Sequence, residues 1–322
     1  MSISPAQAAQ AIIDATPSAC IAINDFMRAT FSVRGGRVGS GMGTLLEGLW
    51  GYYVNAALTN APGGPVPCEI AWLEGHEFND FAVVGRDRAW DSSTRDGELL
   101  RVEAKSMNAG AYESKAHFDE LLQNLGPSDL TVILVWGWEP VGTMRVCPAI
   151  IDHFVGFVRP IAVLRDELHL ARGGRFVDRA TCPDRVLTGS SCEAGLCEHH
   201  GEPLNAEGMR ERLTGPATCR GSAKVSHAAN FGGMVRMIQT RSPAARSTFR
   251  RLRRADGEAD RYISFIHRNF PKEEVNQYML AEWRKLADAV GVESRGLPAQ
   301  ELAMAVRAAD PGYQALLRDL FD

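Results

Sequence analysis

Residues 130–138 read LTVILVWGW, nine positions without a single charge. Continuous apolar and β-branched content over that length marks a strand buried on both faces. Such a strand needs neighbouring strands beside it and other elements laid over it. The surrounding pattern supplies both. Residues 5–30 read as helix, with a break expected near Pro17, because proline lacks the N–H that a helix interior uses. Residues 31–43, FSVRGGRVGSGMG, read as a glycine-rich connection before a helix that starts at Thr44. Thr44 and Glu47 stand at capping-box spacing, where each satisfies the other's orphan N–H. Leu46, Leu49, Trp50, Tyr53, Val54, Ala57 and Leu58 then recur at helical spacing until APGGPVP at 61–67 stops the helix. Short strands are expected over 68–74, 80–85 and 98–105, and a helix over 112–125. Together these elements give an α/β fold, with a mixed central sheet flanked by helices.

The texture changes near residue 165. Residues 172–233 are rich in Gly, Cys, His, Arg and Ser and poor in periodicity, whereas 244–322 return to helical patterning, clearest at 258–268, 272–290 and 298–320. The expected organisation is a core over 1–165, then a Cys/His-rich insert and helical region over 166–322 that need not be separate from it. Apolar residues make up 45% of the chain and charged residues 23%, which excludes disordered and collagen-like classes. No uncharged apolar run approaches the roughly 18 residues of a membrane span, and Met1 to Ala11 lack the basic start of a secretory signal. Seven cysteines, an odd number, argue against a disulfide scaffold and for a reduced, cytoplasmic setting.

Chemistry concentrates in ELLRVEAKS, residues 98–106. Side chains alternate along a strand, so Glu103 and Lys105 share a face. Upstream, EFNDFAVV puts Asp80 at the head of the preceding strand, and a hairpin of the two strands would bring Asp80 to Glu103 and Lys105. Carboxylates are natural ligands for a hard divalent cation. That cation polarises a scissile phosphate and helps form hydroxide from water. A lysine beside it can orient the water and stabilise the charge that develops. The plain alternative is a strand-end salt bridge from Glu103 to Lys105 or Arg101. A second tripeptide of the same form, Glu113-Ser-Lys115, falls at the entry of the 112–125 helix, where a solvated face accounts for it.

Asp80…Glu103-Ala-Lys105 resembles the D…(D/E)xK signature of the PD-(D/E)xK nucleases, the superfamily of most type II restriction endonucleases. The resemblance covers about residues 40–140 and extends to the order of helix, strands, helix and buried strand. It implies a restriction-endonuclease-like sheet, Asp80 and Glu103 as Mg²⁺ ligands, Lys105 assisting the attacking water, and Glu47 as an auxiliary carboxylate. For Glu47 the capping box is the competing explanation. The implied activity is Mg²⁺-dependent, site-specific hydrolysis of double-stranded DNA, by a homodimer because two strands need two active sites. The chain departs from the signature at one position: Asn79, not proline, precedes Asp80. Two other functions stay open. One is a non-catalytic zinc-containing DNA-binding protein. The other is a repair or defence nuclease of the same fold without sequence specificity.

Cys182, Cys192, Cys197 and His200 offer three thiolates and an imidazole, a set that suits tetrahedral structural zinc. His199 and Cys219 are alternative fourth ligands, and free cysteines with a surface histidine pair are the plain reading. A zinc ion would clamp the aperiodic stretch, since its binding free energy becomes folding free energy. Residues 236–254, RMIQTRSPAARSTFRRLRR, hold seven arginines and no acid. Arg210, Arg212 and Lys224 extend the positive stretch upstream, and with Arg236, Arg241 and Arg246 they are the expected DNA contacts. A solvated charged face is the alternative. Residues 1–160 carry a net charge of −7 and residues 161–322 a net of +3, so the positive charge sits away from the carboxylates. Gly39-Ser-Gly41-Met-Gly43 lacks the spacing of a dinucleotide-binding fingerprint and reads as a connection.

Overall fold

The structure is a computed structural model of the 322-residue chain. It describes residues 3–35, 41–74, 79–109, 122, 125–171, 176–177, 203–204, 243–270 and 278–321. The protein is mixed α/β, with a five-stranded mixed sheet and eight helices among the described residues. Described residues up to Val163 form one unit and those from Leu164 another.

The first unit contains α1 (Pro5–Thr30), α2 (Gly41–Thr59), β1 (Cys68–Trp72), β2 (Phe81–Gly85), β3 (Glu98–Asn108), β4 (Leu130–Val141) and β5 (Arg145–Phe157). The helix α3 (Val158–Ala171) follows and runs across the boundary of the units. The strands lie in the order β1-β2-β3-β4-β5; β3 and β4 are parallel and every other pair is antiparallel. A parallel pair needs a crossover, and the helix expected over 112–125 falls there, outside the described residues except for Leu122 and Leu125. The apolar run at 130–138 lies in β4, where Leu130 to Trp136 are all buried. Val132, Leu134 and Trp136 join the core of α1 and α2 around Ile12, Ile23 and Trp50. Ile133 and Val135 are buried on the opposite face.

Three helical expectations need correction. Pro17 does not break α1, which runs unbroken for 26 residues. The proline is exposed on a helix that buries Ile12, Ile23 and Met27 completely, at about 1.5–3 kcal/mol each. That burial outweighs one missing backbone bond. Helix α2 begins at Gly41 rather than Thr44, so Thr44 lies inside its first turn. The segment 298–320 is two helices, α7 (Ala299–Ala309) and α8 (Tyr313–Phe321). They part at Asp310, whose extended φ of −139° is what a following proline, Pro311, imposes.

Strand β5 and helix α3 are additions to the sequence reading. Pro148 disguises β5, and a proline fits a strand where its missing N–H is not needed. β5 is an edge strand. Along its outer edge Val146 exchanges backbone bonds with Val33, and Ile150 exchanges bonds with the carboxamide of Asn24 on α1. Pro148 lies between these two donors. The opposite edge is closed in the same way: Asn55 of α2 donates to and accepts from the backbone of Ile70 in β1. Both sheet edges are thus blunted by helix asparagines.

The second unit holds α4 (Pro243–Ala255), α5 (Gly257–Asn269), α6 (Leu280–Ala289), α7 and α8, with a short antiparallel pair, β6 (Phe176–Val177) and β7 (Pro203–Leu204). Asp256 caps α5 by accepting from the N–H groups of Glu258 and Ala259. The fully buried Trp283 of α6 centres a core with Leu286, Leu302, Val306 and Leu317. The segment expected over 272–290 is helical from Leu280; residues 271–277 lie outside the described set.

Candidate active site

The pairing of β2 with β3 ends at Phe81 and Val102, but β3 continues to Asn108 with β4 alone beside it. Its exposed edge leaves the N–H groups of Ala104 and Ser106 in need of acceptors. Both find carboxylates. Ala104 donates to Asp80 Oδ2 at 2.9 Å. The N–H and hydroxyl of Ser106 face the carboxylate of Glu47, brought in by α2, and favour its charged form. On the next position of β3, Glu103 Oε2 accepts the N–H of Asn79 at 2.8 Å. The ammonium of Lys105 contacts Glu103 Oε1 directly and lies 4.0 Å from Asp80 Oδ2. Glu47, Asp80, Glu103 and Lys105, four residues spread over 59 positions of sequence, therefore meet in the notch where β2 and β3 separate. The notch is open: the side chains of Asp80 and Lys105 are 35% and 22% exposed, while Glu103 is buried.

Three carboxylates here face one ammonium. Burial pushes the Glu103 carboxyl up to about 7; the Asp80 charge adds to this, and Lys105 with the Asn79 N–H opposes it. Glu47 is raised by burial and then by Asp80, against the pull of Lys105 and Ser106. Burial alone would lower Lys105, but Glu103, Asp80 and Glu47 outweigh it and hold the ammonium above its ordinary value. Glu47, Glu103 and Lys105 all keep their protons more tightly, so the cluster is short of positive charge. A cation would relieve it.

Asp80 and Glu103 flank the Lys105 ammonium with hard oxygen donors. Among the described residues no three His, Cys, Asp or Glu side chains are arranged to hold a metal ion. Mg²⁺ does not require three. It binds through one or two carboxylates and completes its shell with water and substrate phosphate oxygens. The donor set fits that ion.

The salt bridge weighed against catalysis is present between Glu103 and Lys105, while Arg101 pairs with Glu98 at 2.7 Å instead. A strand-end ion pair needs neither Asp80 nor Glu47, and both are here. The capping box is not the setting of Glu47, whose carboxylate is engaged by β3 rather than by its own helix start. Three contributing positions escape sequence reasoning. Ser106 follows the motif directly but shows its role only through Glu47. Gly43, in α2 rather than a connection, allows close approach: a Cβ there would stand 2.5 Å from Ser106 Oγ. Asn79 is buried with a φ of +97°. Proline can neither adopt that conformation nor donate an N–H, so the departure from the signature is built into the geometry.

Cys182, Cys192, Cys197, His199, His200 and Cys219 lie outside the described residues, as do Arg210, Arg212, Lys224, Arg236 and Arg241. Of the expected DNA contacts, Arg246 alone is described, on α4. Part of the basic run is neutralised by acids from other elements. Arg250 pairs with Glu282 at 2.7 Å, Arg251 with Glu167 at 2.9 Å, and Arg253 with Asp260. Cys20, Cys68 and Cys147 are buried free thiols. No helix among the described residues is long and apolar enough to cross a membrane. Comparison of the chain with family models, curated proteins and solved structures finds no match to any of them.

Proposed function

We propose that the chain is a Mg²⁺-dependent endonuclease that hydrolyses phosphodiester bonds of double-stranded DNA, at a specific site in the manner of type II restriction enzymes. The observation that carries this reading is the convergence of Asp80, Glu103 and Lys105, with Glu47 behind them, in an open notch at the end of β3. Asp80 and Glu103 would hold the cation. When bound, it supplies Lewis-acid polarisation of the scissile phosphate. Lys105, charged and partly exposed, donates to the attacking water and to the phosphate oxygen that gathers charge. The Ala104 and Asn79 N–H groups fix the two carboxylates, so little reorganisation is needed as charge develops. Glu47, beside Ser106, adds the third carboxylate, which favours a cation over an empty site. A homodimer presenting two such notches would cut both strands. Cys182, Cys192, Cys197 and His200 would hold a structural zinc, tested by metal analysis: one equivalent per chain supports it, and less than half an equivalent rejects it.

Plasmid cleavage tests the site. Wild type with Mg²⁺ should give discrete bands. Asp80→Ala and Lys105→Ala should each lose about 10²-fold or more in rate, the order expected for removing one charge-stabilising group. Full cleavage by either variant overturns the assignment. A smear from wild type would keep the nuclease and remove site specificity. An intact plasmid from wild type, repeated on long DNA of varied sequence, would favour a non-catalytic DNA-binding protein.

A further inference from the structure

Trp72 ends β1 and is 55% exposed. Its backbone is tied to the strand that carries Asp80. Trp72 pairs with Phe81, the residue after Asp80, and the N–H of Leu73 donates to the Asp80 carbonyl at 3.0 Å. Cross-strand partners lie about 5 Å apart and chain neighbours about 4 Å, so the Cα atoms of Trp72 and Asp80 are no more than about 9 Å apart. The indole is held from a second side. Its ring centroid lies 5.5 Å from that of Phe81, and its six-membered edge meets Gly48 of α2, the residue after Glu47. A Cβ on Gly48 would stand 2.7 Å from Cη2 and 2.9 Å from Cζ3 of the indole. An exposed apolar side chain is ordinary by itself. A glycine inside a helix, which lowers helix stability relative to alanine, and which here admits that side chain, is a separate feature. Tyr52, 66% exposed, stands four residues after Gly48 and three before Asn55. Those two face Trp72 and Ile70 of β1, so Tyr52 lies on the same flank of α2. Two exposed aromatic rings thus share one flank of the first unit, beginning beside Glu47 and Asp80.

We propose that Trp72 stacks on one nucleobase displaced from the duplex beside the scissile phosphate. The identity of the occupant rests on the nuclease reading of the notch; the position and exposure of the ring do not. A notch that holds a phosphate through its cation also brings the base on the adjoining sugar close by, and the indole offers that base a flat apolar face. Stacking on an aromatic side chain tolerates any base, because every base has a π-face. It needs a base that has left the duplex stack. Taking one out costs its stacking and pairing, least where it is mismatched or unpaired. Stacking on the indole offsets that cost. The ring is already fixed by Phe81 and Gly48, so little further order is imposed on it when the base arrives. Trp72 would therefore favour DNA by the looseness of a single nucleotide, and would leave sequence choice to other residues.

The test is binding rather than cleavage. The full chain, without divalent metal, is titrated with fluorescent duplexes of one sequence: fully paired, with one extra unpaired thymine, and with an abasic sugar in place of that thymine. Wild type should bind the unpaired thymine about tenfold more tightly than the abasic duplex, the order of one base stacked on an aromatic ring. Trp72→Leu keeps an apolar contact with Phe81 and Gly48 but has no π-face. It should abolish the difference and leave affinity for the abasic duplex unchanged. Trp72→Phe should keep most of the difference. With 2-aminopurine as the unpaired base, binding of wild type should quench its fluorescence and binding of Trp72→Leu should not. Equal affinity of wild type for the thymine and abasic duplexes overturns the proposal. So does a preference that Trp72→Leu retains. An equal loss by Trp72→Leu on both duplexes also overturns it, since the ring would then be structural. None of these readings uses a cation or cleavage, so the plasmid assay can fail while the preference stands, and the reverse.

Discussion

Replacing Asn79 by proline would place before Asp80 the residue that the resembled nuclease signature carries there, and it should damage this protein. The Asn79 N–H donates to Glu103 Oε2 at 2.8 Å. Proline removes that charge-assisted bond, worth about 1.5–3 kcal/mol. It also forces φ from +97° to near −65°. The chain cannot follow freely, because Asp80 is held by the Ala104 N–H and its carbonyl accepts from Leu73 at 3.0 Å. Strain of that kind adds about 1–3 kcal/mol, so the proline variant should lose about 2.5–6 kcal/mol in total. Asn79→Gly separates the two effects. Glycine keeps the N–H and accepts a positive φ, gaining about 1 kcal/mol against the lost packing of the buried carboxamide. Its stability should fall within about 1 kcal/mol of wild type. Urea unfolding reads the stability. Calorimetric titration with Mg²⁺ reads the site, where the proline variant should bind about 10- to 100-fold more weakly and the glycine variant like wild type. If proline and glycine variants behave alike in both measurements, the backbone bond does not position Glu103 and the reasoning is wrong.

The Glu103 carboxyl sits at about 7, above its ordinary 4.5. The folded chain therefore keeps a proton that the unfolded chain has lost. This contribution to stability is complete below about 4.5 and is lost as pH rises through about 7, at most about 3 kcal/mol. Metal-free wild type should lose stability over that interval relative to Glu103→Gln, and parallel pH curves would contradict the cause given. Pro17→Ala restores an N–H to the exposed side of α1 and should raise stability by about 1–2 kcal/mol after the entropy proline saves in the unfolded chain; an unfolding midpoint at or below wild type counts against the continuous helix. Gly43→Ala drives a methyl to 2.5 Å from Ser106 Oγ and should turn the hydroxyl away from Glu47. Cleavage should fall about tenfold with little change in unfolding, the order of a lost hydrogen bond to a charged group. Adding Ser106→Ala to it should then cost nothing further, and additive losses would show that the two positions do not share one contact.

Sequence alone determined the elements whose signal is local. An uncharged apolar run can be stable only as an interior strand, so 130–138 announces β4 without reference to any partner. Alternation along a strand puts Glu103 and Lys105 on one face, and strands adjacent in sequence commonly pair, here antiparallel across the connection 86–97, which carries Asp80 to them. Tertiary structure decided what depends on distant partners. Glu47 looks like a cap from its neighbours in sequence and becomes part of the site only because β3 outruns β2 and leaves the Ser106 N–H needing an acceptor. Pro17 reads as a break because propensity is local, whereas the burial that overrides it comes from the whole face of α1. Pro148 hides β5 until the strand is seen at a sheet edge, where asparagine and valine from elsewhere take the remaining donors. The arginines of 250–253 read as free charge until Glu167, Asp260 and Glu282 arrive from other helices. Patterns that a residue shares with its near neighbours are written in the chain; the partner of a backbone N–H or a buried charge is not, because it is chosen only when the elements pack.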